Sequence, residues 1–206
     1  MNTRLGRGLI AATVLLAQAS PAEAHIVALR LGDFYAGALH PLTDLQDLIL
    51  WGAVGMLGGT LGATRGRWLV LVFPLGLLTG LALAETFGIT ITGSTVDAAM
   101  VLVLGLLLAA AVRIPTAALC ALAFVLAAVR GAANASDLGP ETDRLLFAAG
   151  LACSGYALIT LVMALVLAFR GAETSTPTNW RKITLQALGG WIAAIGLMMV
   201  GYGLAS

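Results

Sequence analysis

Residues 68–88 read WLVLVFPLGLLTGLALAETFG and contain a single charged side chain, Glu85, close to the end of the run. A helix that crosses the hydrocarbon core of a membrane needs roughly 20 predominantly apolar residues, and this run has that length. Pro74 lies inside the run, at a position where a transmembrane helix tolerates proline and can kink. The stretch therefore predicts a membrane-spanning helix.

Five further apolar runs of similar length lie around this one. The six predicted spans cover approximately residues 46–63, 68–88, 95–112, 115–135, 145–169 and 183–204. The gaps between them are too short for a soluble domain. The composition agrees, because 60% of the residues are hydrophobic and 10% are charged, whereas about a quarter are charged in soluble domains. The sequence predicts an all-α, polytopic membrane protein, a six-helix bundle whose surroundings are the lipid bilayer.

The first 24 residues have the organisation of a secretory signal peptide. Two arginines precede an apolar run at residues 9–16, and Ala22-Glu23-Ala24 is a small-x-small cleavage site. We expect a signal peptide at 1–24 and a membrane domain at 25–206 that begins with His25. The alternative is an uncleaved first helix, and in either case His25 emerges on the outer side of the membrane.

Charge is distributed unevenly between alternate loops, which predicts the orientation of the bundle. Lys and Arg collect in cytoplasmic loops, and the first, third and fifth loops carry Arg65, Arg67, Arg113, Arg170, Arg181 and Lys182. Most acidic residues map to the opposite side. We therefore expect an inner-membrane protein with both mature termini in the periplasm. The net charge of +1 offers no basic surface for nucleic acid.

Polar side chains recur toward the outer side of the predicted spans. An ionisable group at the centre of a membrane costs roughly 2.5–3.5 kcal/mol on insertion scales unless it is paired or hydrated. A shared outward-opening polar cavity would account for all of them, namely Gln46, Asp47, Glu85, Asp97, Arg130 and Asn134. The alternatives are that Glu85 and Asp97 lie among the lipid headgroups and that Arg130 reaches outward along the helix.

The entry to the first span, HPLTDLQDLILW at residues 40–51, is unusually polar. Pro41 suits a helix start, and Thr43 or Asp44 can cap the span. Capping explains neither His40 nor Asp47, and histidine with carboxylates can bind a divalent transition metal. The candidate metal ligands are His25, His40, Asp44, Asp47 and Asp137.

These motifs resemble the HupE/UreJ family of six-helix bacterial inner-membrane proteins, which are associated with nickel supply to hydrogenase and urease. The family reads HPLTGLDHLLAM at the entry to the first helix and HGxAHGxE at the outer end of the fourth. The matching stretches here are HPLTDLQDLILW and RGAANASD, at residues 130–137. The run VLVLGLLL at residues 101–108 is similar to the family's third helix.

The resemblance implies a metal site, but the implied ligands are largely replaced. Only His40 keeps its identity. Gln46 stands where the family has aspartate, and Asp137 stands where it has glutamate. The family has histidines at the positions of Asp47, Arg130 and Asn134. An arginine and an aspartate at these places can form an ion pair instead of a metal site.

Two functions follow from these patterns. The first is a nickel or cobalt permease, or an accessory protein of hydrogenase or urease, with the metal ion as substrate and without a resident cofactor. The second is a non-transporting assembly or interaction protein in which Asp47 and Arg130 form a structural lock. An enzyme is not expected, because the sequence contains no HExxH or GxSxG motif. The sequence specifies no protein partner.

Overall fold

The computed structural model describes residues 32–88, 93–171 and 179–205. The predicted signal peptide and His25 lie outside the described residues. Within the described part every regular element is a helix, which confirms the all-α class. The helices are α1 Asp33–Thr43, α2 Leu45–Leu61, α3 Ala63–Gly66, α4 Leu69–Phe87, α5 Ser94–Ala109, α6 Thr116–Asn134, α7 Arg144–Arg170 and α8 Asn179–Ala205, and a 3-10 turn, Ala135–Asp137, follows α6.

Each predicted span coincides with one of these helices. Within the described residues, four helical segments are long and apolar enough to cross a membrane: Ala63–Phe87, Thr116–Asp137, Arg144–Arg170 and Trp180–Ala205. The apolar helices α2 and α5 are shorter. The 17 residues of α2 extend for about 26 Å at the α-helical rise, slightly less than the hydrocarbon thickness. The six-span count therefore stays a prediction.

Helix α1 was not predicted, and it corrects the expected role of Pro41. This proline lies buried inside α1, in its last turn, and does not start the first span. The chain becomes extended at Asp44, whose carboxylate accepts a hydrogen bond from the Gln46 N–H at 2.8 Å and so caps α2. Thr43 does not cap, because its hydroxyl donates to the His40 carbonyl at 2.8 Å. Of the two residues considered from the sequence, Asp44 is therefore the one that caps α2.

Glycines bring the helices into close contact. A Cβ atom added to Gly131 on α6 would overlap the Leu77 carbonyl on α4, and one added to Gly80 would overlap the Ala128 carbonyl. In lipid, close backbone packing of this kind is a main source of helix association. The same device joins the other helix pairs: α5 to α8 at Gly105, Gly189 and Gly196, α1 to α7 at Gly37 and Gly150, and α2 to α7 at Gly55 and Gly59.

The core of the bundle forms around α2, which packs against both α7 and α5. Trp51 on α2 is fully buried and contacts Phe73 on α4 edge to face, with ring centroids 5.3 Å apart. Helix α4 in turn packs against α6 and α7. Because the polar beginnings of α2 and α5 and the polar end of α6 lie on the same side of this core, their charged side chains can meet there.

Candidate functional site

Arg130 is the centre of a buried cluster of charges. Its Nε donates to Asp47 Oδ1 at 2.5 Å, its Nη2 to Asp44 Oδ2 at 2.7 Å, and its Nη1 to Asp97 Oδ1 at 2.9 Å. We call these four residues the Arg130 cluster. The Asp47–Arg130 pair considered from the sequence is thus present, and two further aspartates that sequence reasoning had not assigned to Arg130 complete it.

The four members of the cluster come from three segments that are distant in sequence, because Asp44 and Asp47 lie only one helical turn apart. Asp44 lies between α1 and α2, Asp47 in the first turn of α2, Asp97 in the first turn of α5 and Arg130 in the last turns of α6. The guanidinium presents its donors in a rigid planar fork. It therefore joins the ends of three helices, α2, α5 and α6, through one side chain.

The four side chains of the cluster are buried to different degrees. The exposed fraction of the side chain is 0% for Asp47, 5% for Arg130, 13% for Asp97 and 30% for Asp44. Arg130 therefore does not reach outward into water, and the snorkelling alternative is wrong. Asp97 is bound to Arg130 and largely buried within the protein. The alternative that Asp97 lies among the lipid headgroups therefore does not fit either.

The cluster contains three carboxyl groups but only one guanidinium. Two buried polar atoms in this region, Asp47 Oδ2 and Asn134 Nδ2, have no hydrogen-bond partner. Asn134 lies one turn after Arg130 on α6 and is 1% exposed. This end of the bundle is therefore polar in its interior.

A second polar contact lies nearer the surface. His40 Nε2 on α1 is 3.4 Å from Asp137 Oδ2 on the 3-10 turn after α6. The His40 side chain is 12% exposed and that of Asp137 is 51% exposed. The imidazole also faces the Phe147 ring of α7, with centroids 6.2 Å apart. His40 and Asp137 thus form a pair that links α1 to the end of α6.

The structure divides the predicted metal ligands into two groups. Asp44 and Asp47 face Arg130, whereas His40 and Asp137 face each other, and His25 lies outside the described residues. Across 32–88, 93–171 and 179–205, no three His, Cys, Asp or Glu side chains are grouped so that they could hold a metal ion.

The remaining polar residues make separate contacts. Glu85 on α4 pairs with Arg144 on α7 at 2.7 Å, outside the Arg130 cluster. Gln46 contributes its backbone N–H to Asp44. Sequence reasoning missed the Glu85–Arg144 pair, although opposite charges at the outer ends of two predicted spans were a signal for it.

The fold and the site define the class of protein. The described chain is helical, its long helices are apolar enough to cross a membrane, and its buried charged side chains are paired with one another at one end. These are the properties of a helical integral membrane protein.

The family model described as HupE / UreJ protein matches residues 13–199, which is nearly the whole chain. The protein belongs to the HupE/UreJ family. Comparison with curated proteins gave no match, and comparison with solved structures gave none either.

Proposed function

We propose that this protein is an accessory membrane protein of nickel or cobalt supply, and that the Arg130 cluster is a structural lock in the place of the metal site implied by its family. The observation that carries the proposal is the position of the Arg130 guanidinium, which contacts three carboxylates, two from the start of α2 and one from the start of α5, at 2.5, 2.7 and 2.9 Å.

The guanidinium opposes a divalent metal ion in two ways. Each of the three carboxylates already gives one oxygen to Arg130. A divalent cation among them would lie beside a permanent positive charge, and the repulsion is strong in a poorly solvated interior. Displacing the 5% exposed Arg130 side chain would leave a buried cation without its partners, which costs several kcal/mol.

Calorimetric titration of the purified full chain with nickel and with cobalt tests the lock. We expect no binding that depends on Asp47, so that Asp47→Ala leaves the titration unchanged. Binding in the wild type that both His40→Ala and Asp47→Ala abolish would show a working metal site and overturn the lock.

A gain-of-binding variant sharpens the same test. Asp47→His, Arg130→His and Asn134→His together restore the histidines that the family pattern has at these positions, and they remove the guanidinium. We expect this triple variant to bind nickel. The matched control is the triple variant Asp47→Asn, Arg130→Gln, Asn134→Gln, which removes the same charges without adding imidazoles. If the two triple variants bind nickel equally, imidazole ligation at these positions is refuted.

The second candidate is a permease for divalent transition metals. It is favoured by the His40–Asp137 pair near the surface and by the three carboxyl groups of the Arg130 cluster, which outnumber its one guanidinium. Uptake of radioactive nickel into vesicles that contain the protein tests it. Transport predicts that His40→Ala and Asp137→Asn lower uptake while Glu141→Gln, at an exposed carboxylate of the neighbouring loop, does not. Uptake no faster than into empty vesicles would exclude the permease.

We also propose that α2, α4, α5, α6, α7 and α8 all span the inner membrane, with the Arg130 cluster on the periplasmic side. The segregation of charge between the two ends of the helices supports this orientation. Labelling of single cysteines in intact cells by a membrane-impermeant maleimide tests it. A cysteine at Glu141 should react, whereas a cysteine at Arg113 should react only after lysis, and the opposite pattern would reverse the orientation.

A further inference from the structure

The end of the bundle opposite the Arg130 cluster carries two arginines that lie over tryptophan rings. Arg67 Cζ is 5.2 Å from the Trp68 ring centroid, and Arg181 Cζ is 5.6 Å from that of Trp180. Trp68 is 47% exposed and Trp180 is 52% exposed. Each arginine is therefore held beside an aromatic surface at the periphery of the protein.

Hydrogen bonds place both pairs at the same end. Arg170, at the end of α7, donates from Nη1 to the carbonyls of Gly59 and Thr60 at 3.0 and 2.9 Å, close to the end of α2. Arg181 Nη1 donates to the Arg170 carbonyl at 2.9 Å. The last turn of α2, the end of α7 and the start of α8 are thereby joined. Arg67 follows α2 by one short helix, so its pair with Trp68 lies at this end as well.

Acidic side chains of the described residues are confined to the other end. They sit at the start of α1, α2, α5 and α7, at the end of α4 and in the segment after α6: Asp33, Asp44, Asp47, Glu85, Asp97, Asp137, Glu141 and Asp143. Among the described residues, no carboxylate therefore lies near the two Arg–Trp pairs to form an ion pair with their arginines. Exposed Arg65 and Lys182 add to the positive charge.

We propose that this basic end binds the headgroups of anionic phospholipids, one at each Arg–Trp pair. Tryptophan prefers the boundary between hydrocarbon and headgroups, which sets the depth of each pair. An arginine beside it can bind a phosphate through two N–H groups. Clustered basic residues next to a membrane are attracted to anionic lipids. The inference rests on this end of the molecule alone and is independent of the function proposed above.

Fluorescence quenching by brominated lipids tests the proposal on the full chain in bilayers. A Trp191→Phe background removes a 71% exposed tryptophan that any lipid would quench, whereas Trp51 is fully buried. The fluorescence that brominated lipids can quench then comes mainly from Trp68 and Trp180. We expect brominated phosphatidylglycerol to quench at a lower mole fraction than brominated phosphatidylcholine. Because one basic residue near an anionic surface contributes about fivefold in affinity, Arg67→Gln should weaken the preference by about that factor, as should Arg181→Gln.

Matched variants separate specific binding from a general charge effect. Arg113→Gln removes an exposed positive charge from the α5–α6 loop, and Arg144→Gln removes one from the acidic end. We expect the preference for phosphatidylglycerol to survive both changes. Since Arg181 also bonds to the Arg170 carbonyl, Arg67→Gln at an exposed position carries the test if Arg181→Gln fails to fold.

Three results would overturn the proposal. Equal quenching by the two brominated lipids would show that there is no headgroup preference. A loss of preference in Arg113→Gln or Arg144→Gln as large as in Arg67→Gln would show that only net charge matters. Removal of the preference by millimolar inorganic phosphate, but not by chloride at the same ionic strength, would identify a site for free phosphate and not for a lipid.

Discussion

Replacing Arg130 by methionine should be among the most destabilising single substitutions in the protein. The change removes a cation that contacts three carboxylates, of which Asp47 is completely buried. Removing one partner of a buried ion pair costs about 3–5 kcal/mol, because the other charge stays buried and uncompensated. We expect a loss in this range for Arg130→Met, since methionine fills much of the volume but carries no charge.

The aspartate side of the cluster should respond differently. Asp47→Asn leaves Arg130 with Asp44 and Asp97 at 2.7 and 2.9 Å, and it also relieves repulsion among the carboxylates. A hydrogen bond to a charged group contributes about 1.5–3 kcal/mol, so we expect a loss of about 1–2 kcal/mol. The double variant Asp47→Asn, Arg130→Met should be more stable than Arg130→Met alone by about 1–3 kcal/mol, because no charge remains at the fully buried position.

Reversible unfolding in mixed micelles with increasing sodium dodecyl sulfate, followed by far-ultraviolet circular dichroism, measures these free energies. Arg130→Lys is the informative control. It keeps the charge but cannot contact three carboxylates in the geometry of a planar guanidinium, so its stability should lie between those of the wild type and Arg130→Met. The reasoning fails if Arg130→Met costs no more than Asp47→Asn, or if the effects of the two substitutions add without coupling.

Three further predictions concern packing, capping and surface charge. Gly131→Ala should destabilise by about 1–3 kcal/mol, because its Cβ would overlap the Leu77 carbonyl, whereas Gly190→Ala, with open space around it, should not. Equal unfolding free energies would contradict the glycine argument. Asp143→Ala should cost about 1 kcal/mol in the same assay, because Asp143 Oδ1 accepts the Leu145 and Leu146 N–H groups and caps α7. An unchanged unfolding free energy in Asp143→Ala would show that this carboxylate does not stabilise α7 as a cap. Glu85→Gln should cost at most about 1 kcal/mol at low salt and less at high salt, since Arg144 is 68% exposed. A larger, salt-independent loss would show that the pair is effectively buried.

The helices were predictable from the sequence because the signal is local. A run such as residues 68–88 is apolar over the length of a membrane span, and the observed helix Leu69–Phe87 differs from it by one residue at each end. Helix α1 escaped prediction because it is short, mixes polar and apolar residues and includes Pro41 in its last turn. Its stability depends on packing against α7, at Gly37 and Gly150, which no local pattern reveals.

The candidate site was predictable only as a set of residues that needed partners. The cost of placing Asp47 and Arg130 within membrane segments follows from their chemistry alone, and it correctly indicated that they are buried and paired. The remaining contacts depend on how the helices are rotated and brought together by close glycine contacts. Asp44 and Asp97 also contact Arg130, whereas His40 contacts Asp137. Composition and apolar length determined the helices, because the bilayer acts on each segment separately. The tertiary structure decided which charges meet, because electrostatic pairing depends on distances between segments that are far apart in the chain.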